Sequence, residues 1–547
     1  MKKMNKLYYV LALAAVFVLT GCIDETFPES DSATQEQVEA LPSAFEATLR
    51  GISAKMVEGY LVYGDQVHET DMSYPQFMLA QTEMLGDIFP GDEPGYDWYS
   101  TYNHFSRNFG EDSYFAYIPF FTIYQLVKTT NDVIGAVDLE SSETSEVVRG
   151  MAGQAYAARA FFYYLGMVLF EPVENIYTDV SSVKGLTIPI VTEKTTQEDS
   201  KNNPRVTHKE MMDFILSDLD TAEKCLSDYK PSSKYLPSLA VVYGIKAKAY
   251  LWDEDYANAA KYARMAIDLA TANGAQPMTA NEWEDPTSGF SVATSGWMWY
   301  VHYDAENMRN LANWTGWIAP EAQWSYSNLY MPCIDRSLYD KIAKTDFRKR
   351  VFVNPDRKYY AYKTSMDEKW LKEVAKDYTA LKFRCVGGNT GDYAVGGVSD
   401  VPVMRIEEMY LIEAEAVGVS QGVAEGVRLL NEFMVNYRDP AYNYNTSVLR
   451  NLQIEVLTQM RIEFWGEGNA FPSAKRIKPD VIQNYTGTNA PSDIYKINCK
   501  GIKPNWNLCI PIYEINSNRA IKDHNNPNPT KAVTGPTPIG QFAPGNN

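Results

Sequence analysis

The chain has 547 residues, 45% of them hydrophobic, and carries 50 basic against 69 acidic side chains for a formal net charge of −19. That length allows two or more ordinary domains, and the hydrophobic content is that of a globular protein. So acidic a chain lacks the cationic surface on which nucleic-acid affinity mainly depends, and an anionic membrane surface would repel it.

The first six residues, MKKMNK, are basic, and Leu7 to Leu19 is almost wholly apolar. The apolar run is too short for a membrane-spanning helix, which needs about 20 residues. A basic start, a short apolar core and small residues at its end are the pattern of a secretory signal peptide, here residues 1–21. Its last four positions, Leu19-Thr20-Gly21-Cys22, resemble a bacterial lipobox, in which cleavage falls before a cysteine that is then acylated. Several acyl chains anchor firmly, since each buried CH₂ contributes about 0.8 kcal/mol. The alternative is an ordinary secreted protein with a chance cysteine at that position. Cleavage would remove three lysines and no acids, taking the formal charge from −19 to −22. Asp24, Glu25 and Glu29 follow with several Ser and Thr, a composition that buries little surface. Residues 22–42 therefore read as a lipidated, flexible tether, leaving residues 43–547 as a single folded domain. Acids directly after the lipidated cysteine resemble a surface-export signal of some Gram-negative lipoproteins. They favour an outer-membrane protein facing the exterior.

The body reads as mostly helical. Residues 114–137 and 147–170 carry apolar side chains at three- and four-residue spacing, with many alanines in the second. In residues 205–226, Thr207 and Glu210 are spaced as a capping box. Residues 236–270 give two helices separated at Asp253-Glu254-Asp255, with alanines and tyrosines interlocking as in a tetratricopeptide hairpin. Residues 404–419 and 422–438 form a further hairpin of that type. Helical hairpins are thus expected near 114–170, 205–272 and 404–438. Long aperiodic stretches near 86–112 and 273–400 read as functional loops rich in aromatic residues. Beyond Cys22, five cysteines remain, none in a C-x-x-C pair. Cys499 and Cys509 either bridge or stay as buried free thiols.

Several segments together resemble the SusD/RagB family of outer-membrane nutrient-binding lipoproteins. They are RGMAGQAYAARAFFYYLGMVLF with GLTIPIVTE, RVTHKEMMDFILSDLDTAEKCL, DVPVMRIEEMYLIEAEA, MRIEFWGEGNAFPSAKRI, and CIPIYEINSN with NNPNP. The matches follow family order from the lipobox to about residue 529. Asn469, Ser473 and Asn528 depart from the family pattern, which marks a divergent member. The resemblance implies a mainly α fold of about four tetratricopeptide-like hairpins packed against an irregular, loop-rich ligand-binding half. It also implies a lid on a SusC-like TonB-dependent transporter that captures oligosaccharides, or in some members peptides or another nutrient.

A sugar site needs aromatic platforms with a polar rim. Six of the 11 tryptophans fall between Trp283 and Trp324. From that region Trp297, Trp299, Arg309, Asn313, Trp314, Trp317 and Trp324 are candidate ligand contacts, and Tyr96, Trp98, Tyr99 and Asn103 join them from the earlier loop. The resemblance places ligand contacts in loops of the same two regions. Loop tryptophans also pin loops to a core, and the alternate spacing of Trp297 and Trp299 suits one face of a buried strand. Trp252, Trp465 and Tyr250 read as helix core. No metal or cofactor motif is present, and no H-E-x-x-H, G-x-S-x-G or P-loop gives catalysis a foothold. Glu463 and Glu467 share a helix face but are expected to pair with Arg461 or Lys475 rather than form the carboxylate pair of a glycosidase. The reading is a binding protein, not an enzyme.

Overall fold

The computed structural model describes residues 42–59, 73–104, 108–306 and 310–534. The expected signal peptide, Cys22, the tether up to residue 41, and Arg309 lie outside the described residues.

Helix α1 spans Pro42–Val57 and α2 spans Tyr74–Leu85. Strand β1 (Ile88–Pro90) follows, then α3 (Tyr114–Gly135) and α4 (Glu146–Phe170). Ser113 and Ser145 cap α3 and α4, their side chains accepting from the amides of Ala116 and Val148. Helix α5 (His208–Leu226) starts at the expected capping box: Thr207 accepts from the Glu210 amide while Glu210 accepts from the Thr207 amide. Helices α6 (Leu239–Trp252) and α7 (Tyr256–Ala272) are parted by the acidic turn, whose Asp255 caps α7. Strand β2 (Trp297–His302) and β3 (Pro332–Ile334) come from the long loop region. Strand β4 (Asp400–Arg405) leads into α8 (Ile406–Ser420), α9 (Val423–Tyr437), α10 (Leu449–Glu463) and α11 (Phe471–Ile477). The two-residue strands β5 (Val481–Ile482) and β6 (Asn498–Cys499) pair near the C-terminal end.

The helices pack largely in chain order: α3 on α4, α4 on α5, α5 on α6, α6 on α7, then α7 on α8 and α8 on α9. The molecule is mainly α, as the periodicity indicates. Small residues set the spacing. A Cβ on Gly426 would lie 2.6 Å from the Cα of Gly418, so α8 and α9 meet backbone to backbone. The expected helix over 404–419 begins two residues later. Met404 and Arg405 instead finish β4, paired across the sheet with Trp299 and Trp297. Buried side chains from Phe45 to Ile521 form one continuous core. Cys499 and Cys509 are both buried free thiols.

Under the helix ends lies a buried charge network. Glu463 is fully buried and accepts from Arg438 Nε (2.7 Å), Arg405 Nη1 (2.9 Å) and Arg348 Nη1 (3.0 Å). Glu467 accepts from Arg405 Nε at 2.8 Å and from Lys382. Glu407 pairs with Arg438 at 2.9 Å, and Asp346 pairs with Arg348 at 2.7 Å. These four cations and four carboxylates balance. The expected pairing of Glu463 and Glu467 with Arg461 or Lys475 is therefore corrected. Arg461 turns to Asp87, and Lys475 donates to the carbonyls of Val168, Leu169 and Glu171 at the C-terminal end of α4. The reason is geometric: α10 ends at Glu463, and the turn that follows carries Gly466 and Gly468 at φ near +80°. That turn swings Glu467 toward Arg405 and Lys382.

Burial opposes ionisation of Glu463, but Arg438 and Arg405, with Arg348, outweigh it and hold its carboxyl well below the usual range. Removing one member of such a network leaves the others buried and unpaired. Glu463→Gln is expected to destabilise the protein by about 3–5 kcal/mol, read as a lower urea midpoint at pH 7. A second electrostatic link joins three helix ends: His208 Nδ1 meets Glu171 at 2.9 Å and Nε2 meets Asp253 at 2.9 Å. The hydrogen bond to Glu171, against burial and with help from Asp253, raises the His208 pKa from 6.5 to about 9. Its stabilisation is full below pH 6.5 and lost as pH rises through about 9. The stability difference between wild type and His208→Gln is expected to shrink over that interval, measured by denaturant titrations at a series of pH values.

Candidate functional site

Three-residue strand pairing between distant parts of the chain assembles an open aromatic surface. Strand β1 pairs antiparallel with β3, Ile88 against Ile334 and Pro90 against Pro332. Just past the ribbon, the Gly91 amide donates to the Tyr330 carbonyl at 2.7 Å, and the Asp92 amide donates to it at 3.1 Å. The loop 91–97 is thereby laid over residues 324–330. Asp92 pairs with Lys376 at 2.6 Å, and Glu93 accepts from the Ser492 hydroxyl at 2.9 Å. These contacts hold Tyr96 5.7 Å from Tyr326, with 32° between the ring planes. Tyr96 is 50% exposed and Tyr326 is half-buried.

Behind this outer pair the rings continue inward. Trp317 stacks on Tyr326 at 4.5 Å and 21°, and Tyr99 meets Trp317 edge-on at 4.8 Å. Trp324 is half-buried and passes so close to Gly396 that a Cβ there would lie 2.7 Å from its ring. Trp98, also half-buried, stacks on Phe115 at 5.7 Å. Polar groups border the aromatic surface. Asp97 accepts from Ser100 and from the Tyr495 hydroxyl at 2.8 Å, and the Gln323 amide donates to the Thr390 carbonyl at 3.0 Å. Flat rings backed by a rigid stack, with carboxylate and amide groups beside them, suit a ligand that has apolar faces and hydroxyl edges.

The structure separates the sequence-predicted site residues into two groups. Tyr96 is exposed at the platform, and Trp98 and Trp324 keep partial exposure against Phe115 and Gly396. Trp297, Trp299, Trp314, Trp317 and Tyr99 are core residues, at most 2% exposed, with no face open to a ligand. Trp297 and Trp299 lie on β2, where register shifts around Trp299 bring both rings inward. Their indole N–H groups go to Met278 Sδ and to the Tyr235 carbonyl. Trp314 packs edge-on against Phe383 at 5.5 Å. The two asparagines are structural as well. Asn313 caps the short helix Trp314–Ile318 by accepting from the Gly316 amide at 2.7 Å. Asn103 donates to the Ile88 carbonyl and accepts from Gln483 and Lys503. Tyr326 is the residue the sequence reading missed. Its only signal was its place two residues after Trp324 in the same loop.

Among the described residues, no group of three His, Cys, Asp or Glu side chains could hold a metal ion. Among the same residues, no helix is long and apolar enough to cross a membrane.

A mainly helical scaffold thus carries a loop-built aromatic platform. Residues 55–251 match the SusD-like family model described as starch-binding and associating with the outer membrane. Solved structures share the fold over nearly the whole chain. A SusD-like carbohydrate-binding protein from Bacteroides vulgatus is 20% identical, with a TM-score of 0.69 over 90% of this chain and 98% of its own. A SusD superfamily protein from Bacteroides thetaiotaomicron is 17% identical, with a TM-score of 0.65 over 90% and 100% of the two chains. A laminarin-binding SusD-like protein is 17% identical, with a TM-score of 0.58 over 88% and 98%. No curated protein sequence matches the chain. The chain shares the SusD-like fold, and residues 55–251 carry that family's sequence pattern.

Proposed function

We propose that this protein binds oligosaccharides or polysaccharide fragments at the bacterial surface and hands them to a SusC-like TonB-dependent transporter. The observation that carries the reading is the Tyr96–Tyr326 pair, an exposed ring set over a half-buried one. Stacking against these rings removes apolar sugar faces from water, while Asp97 and the loop around Gln323 orient hydroxyls. Names of structural neighbours, carbohydrate-binding and laminarin-binding among them, support the same ligand class. The protein acts by binding rather than by catalysis. Cys22 carries the lipid anchor in the outer membrane, and the acidic tether lets the folded part reach outward.

A calorimetric panel of glycans and peptides tests the ligand. One polysaccharide class is expected to bind wild type and to lose about tenfold or more in affinity in Tyr96→Ala/Tyr326→Ala, a loss of roughly 1.4 kcal/mol or more, with the thermal midpoint held. Trp297→Ala, by contrast, is expected to cost about 3–5 kcal/mol of stability as a core truncation. Binding of peptides alone would overturn the glycan reading. Affinity purification from detergent-solubilised outer membrane is expected to bring a large β-barrel with the protein. Recovery of the protein alone would remove the transporter from the proposal.

A further inference from the structure

A second cavity, of about 270 Å³, lies at the other end of the β1–β3 ribbon. There the Asp335 amide donates to the Asp87 carbonyl at 3.0 Å, so the same ribbon that sets Tyr96 over Tyr326 also frames this cavity. Its walls come from the end of α2, the short helix Arg336–Lys341, the last turn of α10 and strand β5. The volume is just under the roughly 300–1,000 Å³ of most small-molecule sites, room for one sugar ring rather than a chain.

The bonding capacity left open on these walls is specific. Arg461 grips Asp87 through Nε, 3.1 Å from each carboxylate oxygen, and through Nη2. Its Nη1 has no acceptor among the described residues, and neither has Lys341 Nζ. The carboxylates are already engaged. Asp335 accepts from the Tyr485 hydroxyl at 2.7 Å, from the Ser337 amide at 3.1 Å and from the Ser337 hydroxyl. Burial raises its pKa. Asp480 accepts from the Gly501 amide at 2.7 Å. Gln483 is 2% exposed; its amide nitrogen donates to Asn103 at 2.6 Å, and its Oε1 has no partner among the described residues. Leu85, Val481 and Trp506 supply an apolar wall. Two cationic donors and an apolar face therefore line a cavity the size of a single ring.

We infer that this cavity is a binding site for a hexuronic acid, a sugar ring bearing a carboxylate. The carboxylate is held between Lys341 Nζ and Arg461 Nη1, and the ring's C–H face lies on Leu85 and Val481. The site is separate from the aromatic platform and does not depend on it.

Calorimetric titration of the full-length protein in detergent with sodium D-glucuronate tests the site, with D-glucose and sodium sulfate as the neutral and bare-anion controls. Lys341 is exposed, so Lys341→Met and Lys341→Gln are expected to keep the wild-type thermal midpoint. Saturable binding of glucuronate alone is expected, weakened about tenfold or more by either Lys341 variant and unchanged by Tyr96→Ala/Tyr326→Ala. Absence of glucuronate binding would overturn the inference. So would equal binding of glucose or sulfate, or binding indifferent to Lys341. Loss of polysaccharide binding in the tyrosine variant with glucuronate binding intact would keep the two sites distinct.

Discussion

Glu463 is the residue through which the helical array and the loop-rich half share one fixed geometry. Its carboxylate sits at the end of α10 and accepts from guanidinium groups at the end of α9, the end of β4 and the segment after residue 346. A buried carboxylate cannot be left with fewer partners without a large desolvation cost, so all three segments must meet there or none can. Lys382 and Glu467 extend the constraint into the neighbouring loop, where Lys382 also donates to the Glu463 and Trp465 carbonyls. Burial, opposed by Glu467, lowers the pKa of Lys382 to about 8. The network contributes registration more than net stabilisation, because the Coulombic gain is spent largely on desolvation.

From that fixed frame the platform follows by short steps. Strand β4 leaves the network and pairs with β2, which buries Trp297 and Trp299. Glu463's neighbour Arg461 reaches Asp87, and Trp465 donates to the Asp87 carbonyl at 2.9 Å. Asp87 is the residue before β1, so the charge network sets where the β1–β3 ribbon starts, and the ribbon sets where Tyr96 lies. The exposed rings are the outer layer of a stack whose inner layers are core. A platform held in this way loses little conformational freedom when it binds, which favours affinity without requiring many contacts.

The helices were legible because each carries its own local code: apolar spacing, small residues at crossings, and caps such as Thr207 with Glu210. The start of α8 was misplaced by two residues because Met404 and Arg405 suit the helical pattern, while pairing with a strand more than a hundred residues earlier decides otherwise. The partners of Glu463 were missed for the same reason, since nothing local in the sequence brings Arg348 and Arg438 to it. Tryptophan clustering correctly marked an aromatic-rich region, but residue type does not reveal which face of a ring is covered. Trp314 and Trp317 fill the core directly under the loop that carries the exposed rings, and only the long-range ribbon distinguishes the two layers. Tyr326 had no periodic context to single it out. Asn469, one of the departures from the family pattern, still contributes a buried bond, donating to Glu408 at 3.1 Å beside Lys248.

The burial of the tryptophans also governs what light can report about this protein. Nine of the 11 indoles are less than a tenth exposed, and only Trp98 and Trp324 are half-buried. Intrinsic emission is therefore dominated by rings in apolar surroundings, a bright and blue-shifted background that changes mainly when the core opens. Ligand arriving at the platform perturbs only a small part of the signal. An unaltered emission spectrum on adding a glycan would describe an intact core rather than an empty site.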